Sequence, residues 1–372
     1  MMKRTFLALF ALVLLWACSS DDEGTNNNPN DGFNRSAMLT NWADNIIIPV
    51  YEDLNTKLDE LVSQKDNFIA EPNAVNLDNL RTAWQEAYLV WQHAEMFNIG
   101  MAENMNYLFQ MNVYPTNVSD IQNNIQNQNY DLASVNNNDA VGFPALDYML
   151  HGVGDTDNEI IEFYTASAQA ENNKAYLSDL SDQMKSLTQN ILDDWKNGYR
   201  DSFVSSTNNS ATGSINLLVN DFIYYYEKGF RANKFGIPAG NFSTNPLPDR
   251  VEAYYKDDFS KALALEGMTA IQNFFNGIAY QSGNDGQSLD DYLDYLETTD
   301  DGEKLSFSIN NQYTEAYAKI ETLDNSFAQQ VQTNNVAMTE TFDVIQLAVV
   351  LMKVDMLQAL DISVDFVDAD GD

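Results

Sequence analysis

The run Leu80–Gly100, "LRTAWQEAYLVWQHAEMFNIG", decides the fold class. Leu80, Trp84, Ala87, Tyr88, Trp91, Ala94 and Glu95 recur at three- and four-residue steps, the spacing that lines one face of an α-helix. Glu95 sits on that apolar stripe and is therefore expected to face inward, where an unpaired carboxylate is costly. It needs a partner, and a salt bridge to Arg81 or Arg231 would supply one. His93 is two residues from Glu95, so the two point away from each other and cannot hold one metal from this helix.

The same periodicity extends outward. Met38, Trp42, Ile46, Val50, Leu54, Leu58 and Leu61 mark a helix over 35–63, with a kink expected at Pro49. Segments 174–203, 213–233, 257–280, 303–324 and 334–360 behave likewise, and strand-like alternation is almost absent. The fold class is all-α, built as helical bundles. The break "VSSTNNSATG" at 204–213 divides the chain into halves of similar length. Two tandem, similar bundles are expected, 34–205 and 206–372.

The start of the chain reads differently. Lys3 and Arg4 precede an apolar run, Phe6 to Leu15, too short to span a bilayer but suited to an export signal over 1–17. It ends in Leu15-Trp16-Ala17-Cys18, which is similar to a bacterial lipobox. Cys18 is the only cysteine in 372 residues, so no intrachain disulfide can form and lipid attachment is its evident use. Residues 18–33, acidic and Asn-rich, read as a flexible tether. The acidic cluster behind the cysteine resembles the surface-export signal of Bacteroidetes lipoproteins. An outer-membrane lipoprotein, facing the outside of the cell, is the expected location, with the periplasmic side as the alternative.

The net charge of −36 argues against nucleic acid or anionic lipid as a partner and favours cations near the surface. The chain holds only two histidines, one of them in Ala140–Gly152, "AVGFPALDYMLHG". Asp147 and His151 are four apart and share a helix face, as two metal ligands would. Pro144 suits a first helical turn and Gly152 a left-handed C-terminal cap, which makes Pro144–His151 a short helix. His151 then lies at the negative end of the helix dipole, as a capping or surface histidine in its protonated form.

The segments "NIIIPVYEDL" (45–54), 80–100, 140–152, "VEAYYKDDFSKALALEGMTAIQNFFNG" (251–277) and "ALDISVDFVDADGD" (359–372) resemble the imelysin family, in matching order. The resemblance implies an all-α fold of two helical bundles, an exported and often lipid-anchored protein, and a link to iron acquisition. Some members are described as metallopeptidases. The family signature Gly-x-His-x-x-Glu falls on Gly142, Pro144 and Asp147, so proline stands where the family has a metal-binding histidine. The resemblance also implies that Glu95 lies near this segment, facing Asp147 as an inward acidic pair, and that Glu252 lies near the cleft between bundles. Taken by themselves, Glu252, Asp257 and Asp258 read as a solvated acidic face, with Ser260 beside them. Asp368, Asp370 and Asp372 lack the rest of a calcium loop and read as a polar tail.

Zinc-peptidase, phosphate-loop and serine-hydrolase motifs are missing, and two histidines 58 residues apart are a poor supply for catalytic zinc. The expectation is a non-catalytic binding protein linked to uptake of iron or another ligand, with Asp147, Glu95, Glu252 and His151 as candidate ligand-binding residues. An oxygen-rich site of this kind suits Fe(III), Ca²⁺ or Mn²⁺. Its expected partners are the membrane, through the lipid, and an outer-membrane uptake receptor. The alternative is a surface scaffold that grips a peptide, glycan or partner protein.

Overall fold

A computed structural model describes residues 31–364. The export signal, Cys18, most of the tether and the acidic C-terminal tail lie outside the described residues. The last residues of the expected tether are packed: Phe33 stacks on Tyr292 with ring centroids 4.3 Å apart, and Asp31 accepts from Arg35 at 3.2 Å.

The described chain is helical apart from one short hairpin, in which Thr299–Asp300 pairs antiparallel with Glu303–Lys304. The helix expected at 35–63 runs from Arg35 to Ala70 and passes through a widened π turn, Trp42–Ile47, just before Pro49. Proline has no N–H to return to the carbonyl four residues back. That carbonyl, Asn45 O, instead accepts from the Tyr280 N–H at 2.8 Å, so the irregularity joins two distant parts of the chain.

Helix Ala74–Ala94 carries the stripe read from the sequence. Leu80, Trp84, Ala87, Tyr88, Trp91 and Ala94 are all buried, and the Asn73 side chain caps the start by accepting from the Asn76 N–H. Helix Ile48–Ala70 packs against this helix and against Ala170–Asp194. Ser260–Phe275 packs on the same helix and on Leu305–Glu321, which in turn meets Phe327–Val350. Helix 174–203 is interrupted at Asn197 and Gly198, where the backbone leaves helical angles.

The Gly142 segment is held from both sides. Its helix, Gly142–Asp147, starts two residues earlier than the proline suggested and runs on through a π turn, Tyr148–Gly152. Trp84 donates to Phe143 O at 3.2 Å, and Tyr88 stacks on the Phe143 ring at 4.3 Å. Gly142 has φ +71°, and a Cβ there would lie 2.1 Å from Met111 O, so both its backbone angle and the close approach demand glycine. Gly152 corrects the expected left-handed cap, because it is absent from the positive-φ glycines. Its small size matters for another reason: a Cβ would meet the rings of Tyr255 at 2.4 Å and Tyr148 at 2.7 Å.

Candidate functional site

Asp147 is 2 % exposed, and both of its carboxylate oxygens are engaged. Oδ2 accepts from the Tyr255 N–H at 2.8 Å and Oδ1 from the Lys256 N–H at 2.9 Å. These adjacent donors are aimed at one side chain by a turn in which Ala253 (φ 54°) and Asp257 (φ 66°) are left-handed. Asp147 thus fastens the turn after Val251 to the Gly142 helix. His151 Nδ1 lies 3.2 Å from Asp147 Oδ1, so the i, i+4 pair does meet. His151 is not a surface residue, but its Nδ1 also lies 3.3 Å from the Asp147 carbonyl in the last turn, the contact of a capping histidine. Its side chain is largely buried, with its ring 5.2 Å from that of Trp84 and Nε2 without a hydrogen-bond partner.

Glu95 does not face Asp147, and neither Arg81 nor Arg231 pairs with it. Arg81 donates to Leu150 O and to Asp157, while Arg231 pairs with Glu227. Glu95 instead joins a buried network with Glu252, which is 2 % exposed and so overturns the expected solvated face. Asn112 Nδ2 bridges the two carboxylates, at 2.9 Å from Glu95 Oε1 and 2.8 Å from Glu252 Oε1. Gln92 Nε2 donates to Glu252 Oε1 at 3.2 Å. The third charge is Lys234, whose ammonium donates to Glu252 Oε2 and, at 2.8 Å, to Gln92 Oε1. It stands 3.9 Å from Glu95 Oε2.

Burial is the main reason the Glu95 carboxyl is pushed up to about 7; Lys234 opposes the rise and Glu252 adds to it. Two carboxylates against one ammonium leave the network one positive charge short when both acids are ionised. Glu95 Oε2 is the place where that deficit shows: besides the distant Lys234 it has only the neutral Trp91 and Tyr225 side chains beside it, too loosely placed for well-formed hydrogen bonds. His93 points the other way, as its spacing required, and meets Glu266 at 2.6 Å. Of Glu252's neighbours, Ser260 donates to the Glu252 carbonyl at 2.7 Å, while the Asp258 side chain is 65 % exposed and pairs with Lys256.

A cleft of about 550 Å³ opens beside the signature positions, with Pro144, Asp147, Tyr114, Tyr254, Tyr255 and Arg250 in its wall. Tyr114 and Val113 also line a second, smaller cavity whose wall includes Glu95. This segment therefore lies between the two carboxylates expected to pair, and Asp147 and Glu95 serve different spaces.

The residues do not fit the metal that the family signature implies. Among the described residues, no group of three or more His, Cys, Asp or Glu side chains is placed to hold an ion. Pro144 has no donor atom, both Asp147 oxygens already accept, and Lys234 supplies the positive charge between the glutamates.

Comparison with known proteins fits this architecture. The family model described as Imelysin (Peptidase_M75) matches residues 47–347. No curated protein matches the chain. Among solved structures, the chain is similar to an imelysin-like protein from Psychrobacter arcticum 273-4, with 18 % identity over 89 % of this chain and 97 % of that one, and a TM-score of 0.67. It is also similar to a candidate iron-regulated protein A precursor from Parabacteroides distasonis ATCC 8503, with 18 % identity over 87 % and 95 % of the two chains and a TM-score of 0.67. At this identity the likeness extends to the fold.

Proposed function

The chain belongs to the imelysin family, and from that premise we propose that it is a non-catalytic binding protein for an iron-bearing organic ligand. In this reading it is held at the outer membrane by a lipid on Cys18 and passes its ligand to an uptake receptor. A two-bundle arrangement belongs to this reading, and the packing of Ala74–Ala94 on Ser260–Phe275 supports a contact between the two halves of the chain. The name of the Parabacteroides relative supports the link to iron. Among the described residues no helix is long and apolar enough to cross a membrane, so a lipid is the proposed means of attachment.

One observation carries the reading: the cleft at Pro144 and Asp147 is large and aromatic, while the carboxylates that would take a bare ion are already bonded. A volume of about 550 Å³ falls within the range of small-molecule sites. Tyr114, Tyr254 and Tyr255 offer flat faces and Arg250 a cation, a wall suited to an anionic, ring-bearing chelate. Titration calorimetry of the full chain with free Fe(III), Ca²⁺ and Zn²⁺, and then with ferric citrate and haemin, tests this directly. Binding of an iron chelate alone is expected, weakened in Arg250→Ala and Tyr254→Ala. Stoichiometric binding of a free metal, or no binding of either chelate, would overturn it.

A second reading rests on Tyr254, which stands 38 % exposed in the cleft wall. An exposed ring there suits a peptide or glycan held by a surface scaffold. Peptide or glycan binding that survives without iron in the same titrations would favour it.

A further inference from the structure

The second cavity lies on the other side of Val113–Tyr114 and encloses about 170 Å³. An apolar cavity of ~150 Å³ is enough to take one benzene ring. The wall suits such an occupant: Phe109, Tyr114, Tyr224 and Tyr225 contribute rings, and Leu108 and Met96 contribute aliphatic surface. Phe109 is 46 % exposed, so part of this lining is open to an entering molecule. Glu95 and Tyr225 also belong to the wall, but their polar atoms are packed beside one another and Trp91 and are not offered to the space.

The accessible polar groups are different ones. Lys228 lines the cavity, is half-buried, and makes no ion pair and no side-chain hydrogen bond. Every other lysine among the described residues has a partner: Lys261 donates to the Leu323 carbonyl, and the rest meet a carboxylate. In a chain of net charge −36, a lysine left without an acid is an exception that a ligand's own anion would explain. Asn233, also half-buried in the wall, likewise makes no side-chain hydrogen bond. The two stand five residues apart in the widened helix Tyr225–Gly236, whose i to i+5 bonding brings that spacing onto one face. Asp221 lines the wall as well, but it lies seven residues before Lys228, about 10 Å along the helix. An anion at the Lys228 end therefore meets a cation and an amide and stays clear of that acid.

We propose that this cavity binds a small aromatic monocarboxylate of the phenylacetate type, with its ring against Phe109 and the tyrosines and its carboxylate on Lys228 and the Asn233 amide. The negative charge of the whole chain does not forbid an anion here. At physiological ionic strength exposed charges farther away than ~8 Å are largely screened, whereas the Lys228 contact is direct. The site is separate from the proposed chelate cleft and stands whether or not that cleft takes iron.

Calorimetric titration of the full chain with phenylacetate, phenylacetamide (the same skeleton without the charge), 2-phenylethylamine (the opposite charge) and acetate (no ring) tests the proposal. Phenylacetate is expected to bind, and each of the others to bind about 10-fold or more weakly, the loss expected for one charged hydrogen-bonding group or one buried ring. Lys228→Met changes a half-buried side chain that has no partner in the protein, so the thermal unfolding midpoint should stay unchanged. It should lower phenylacetate to the affinity of phenylacetamide and leave phenylacetamide itself unaffected. Phe109→Ala removes an exposed ring and should weaken phenylacetate and phenylacetamide together. Absence of phenylacetate binding at millimolar concentration, equal binding of phenylacetamide or 2-phenylethylamine by the unaltered protein, or an undiminished phenylacetate affinity in Lys228→Met would each overturn the assignment.

Discussion

Asp147 and Glu95 are both buried acids beside the same segment, yet they are neutralised in opposite ways. Asp147 accepts two backbone N–H groups and meets His151, so both of its oxygens are occupied by the protein. Glu95 shares one amide, from Asn112, with Glu252 and stands 3.9 Å from the single lysine between them. Burial alone therefore does not decide what an acid is for. The number and direction of its donors do: the first carboxylate is a structural fastening with both oxygens held by backbone N–H groups, and the second is a loosely held one that shares its donors and its cation.

The largest effect should come from removing the shared cation. Lys234→Met leaves Glu252 and Glu95 buried with no positive charge near them, and breaking a buried pair in this way costs about 3–5 kcal/mol. Urea unfolding should show that loss. A loss below about 1 kcal/mol would mean that amides alone satisfy the pair, and the contrast with Asp147 would vanish.

Next in size is Asp147→Ala, which strands the Tyr255 and Lys256 N–H groups. At about 1–3 kcal/mol for each unsatisfied buried donor, a loss of about 2–4 kcal/mol is expected, less any recovered by entering water. Asp147→Asn keeps one acceptor and should lose less. Because the carboxylate pins the turn at Ala253–Asp257, limited proteolysis of Asp147→Ala should first cut there. Cutting elsewhere, with the turn still protected, would show that Asp147 does not hold it.

A smaller effect separates the two acids by pH. The folded protein keeps a proton on Glu95 up to about 7, well above the ordinary value of 4.5. Between those values the native state binds more protons than the unfolded chain, so this group's contribution to stability is present below pH 4.5 and is lost as pH rises through about 7. Glu95→Gln cannot ionise and should flatten the fall in unfolding midpoint between pH 5 and 7. An unchanged slope would assign the pH dependence to other groups.

How much of this could be read from the sequence follows from distance along the chain. The helix with the Trp84, Tyr88 and Trp91 stripe was legible because its period is local, and so was the meeting of Asp147 with His151, four residues apart. The partner of Glu95 was not. Lys234 and Glu252 come from 139 and 157 residues further along, and no local pattern reports which distant side chain fills a buried gap. Lys234 left one trace, as one of two cations, with Arg231, set among the buried Phe230, Phe235 and Gly236 of its helix. Glu252 misled because acids in a highly acidic chain read as solvated. Its burial depends on a turn with left-handed Ala253 and Asp257, and alanine is a residue type that does not announce that conformation. Gly152 misled similarly: its place after a helix suggested a cap, whereas the rings of Tyr148 and Tyr255 are what require it to be small.

The smallest expected effect tests whether the family's metal chemistry is one substitution away. Pro144→His returns a histidine to the signature, and proline in the first turn has given up no hydrogen bond that histidine would restore, so the stability change should be limited to about 1–2 kcal/mol for fitting an imidazole at a buried position. Metal affinity should not appear either. A new ligand at 144 would meet Asp147 with both oxygens committed to Tyr255 and Lys256, and Glu95 lies beyond Val113–Tyr114 in another cavity. One imidazole with no free carboxylate falls short of the three protein ligands a tight site normally uses. Calorimetry of Pro144→His with Zn²⁺ and Fe(III) should therefore match the unaltered protein. Tight stoichiometric binding would show that Asp147 releases its backbone donors for a cation, making it a dormant ligand and not a fastening.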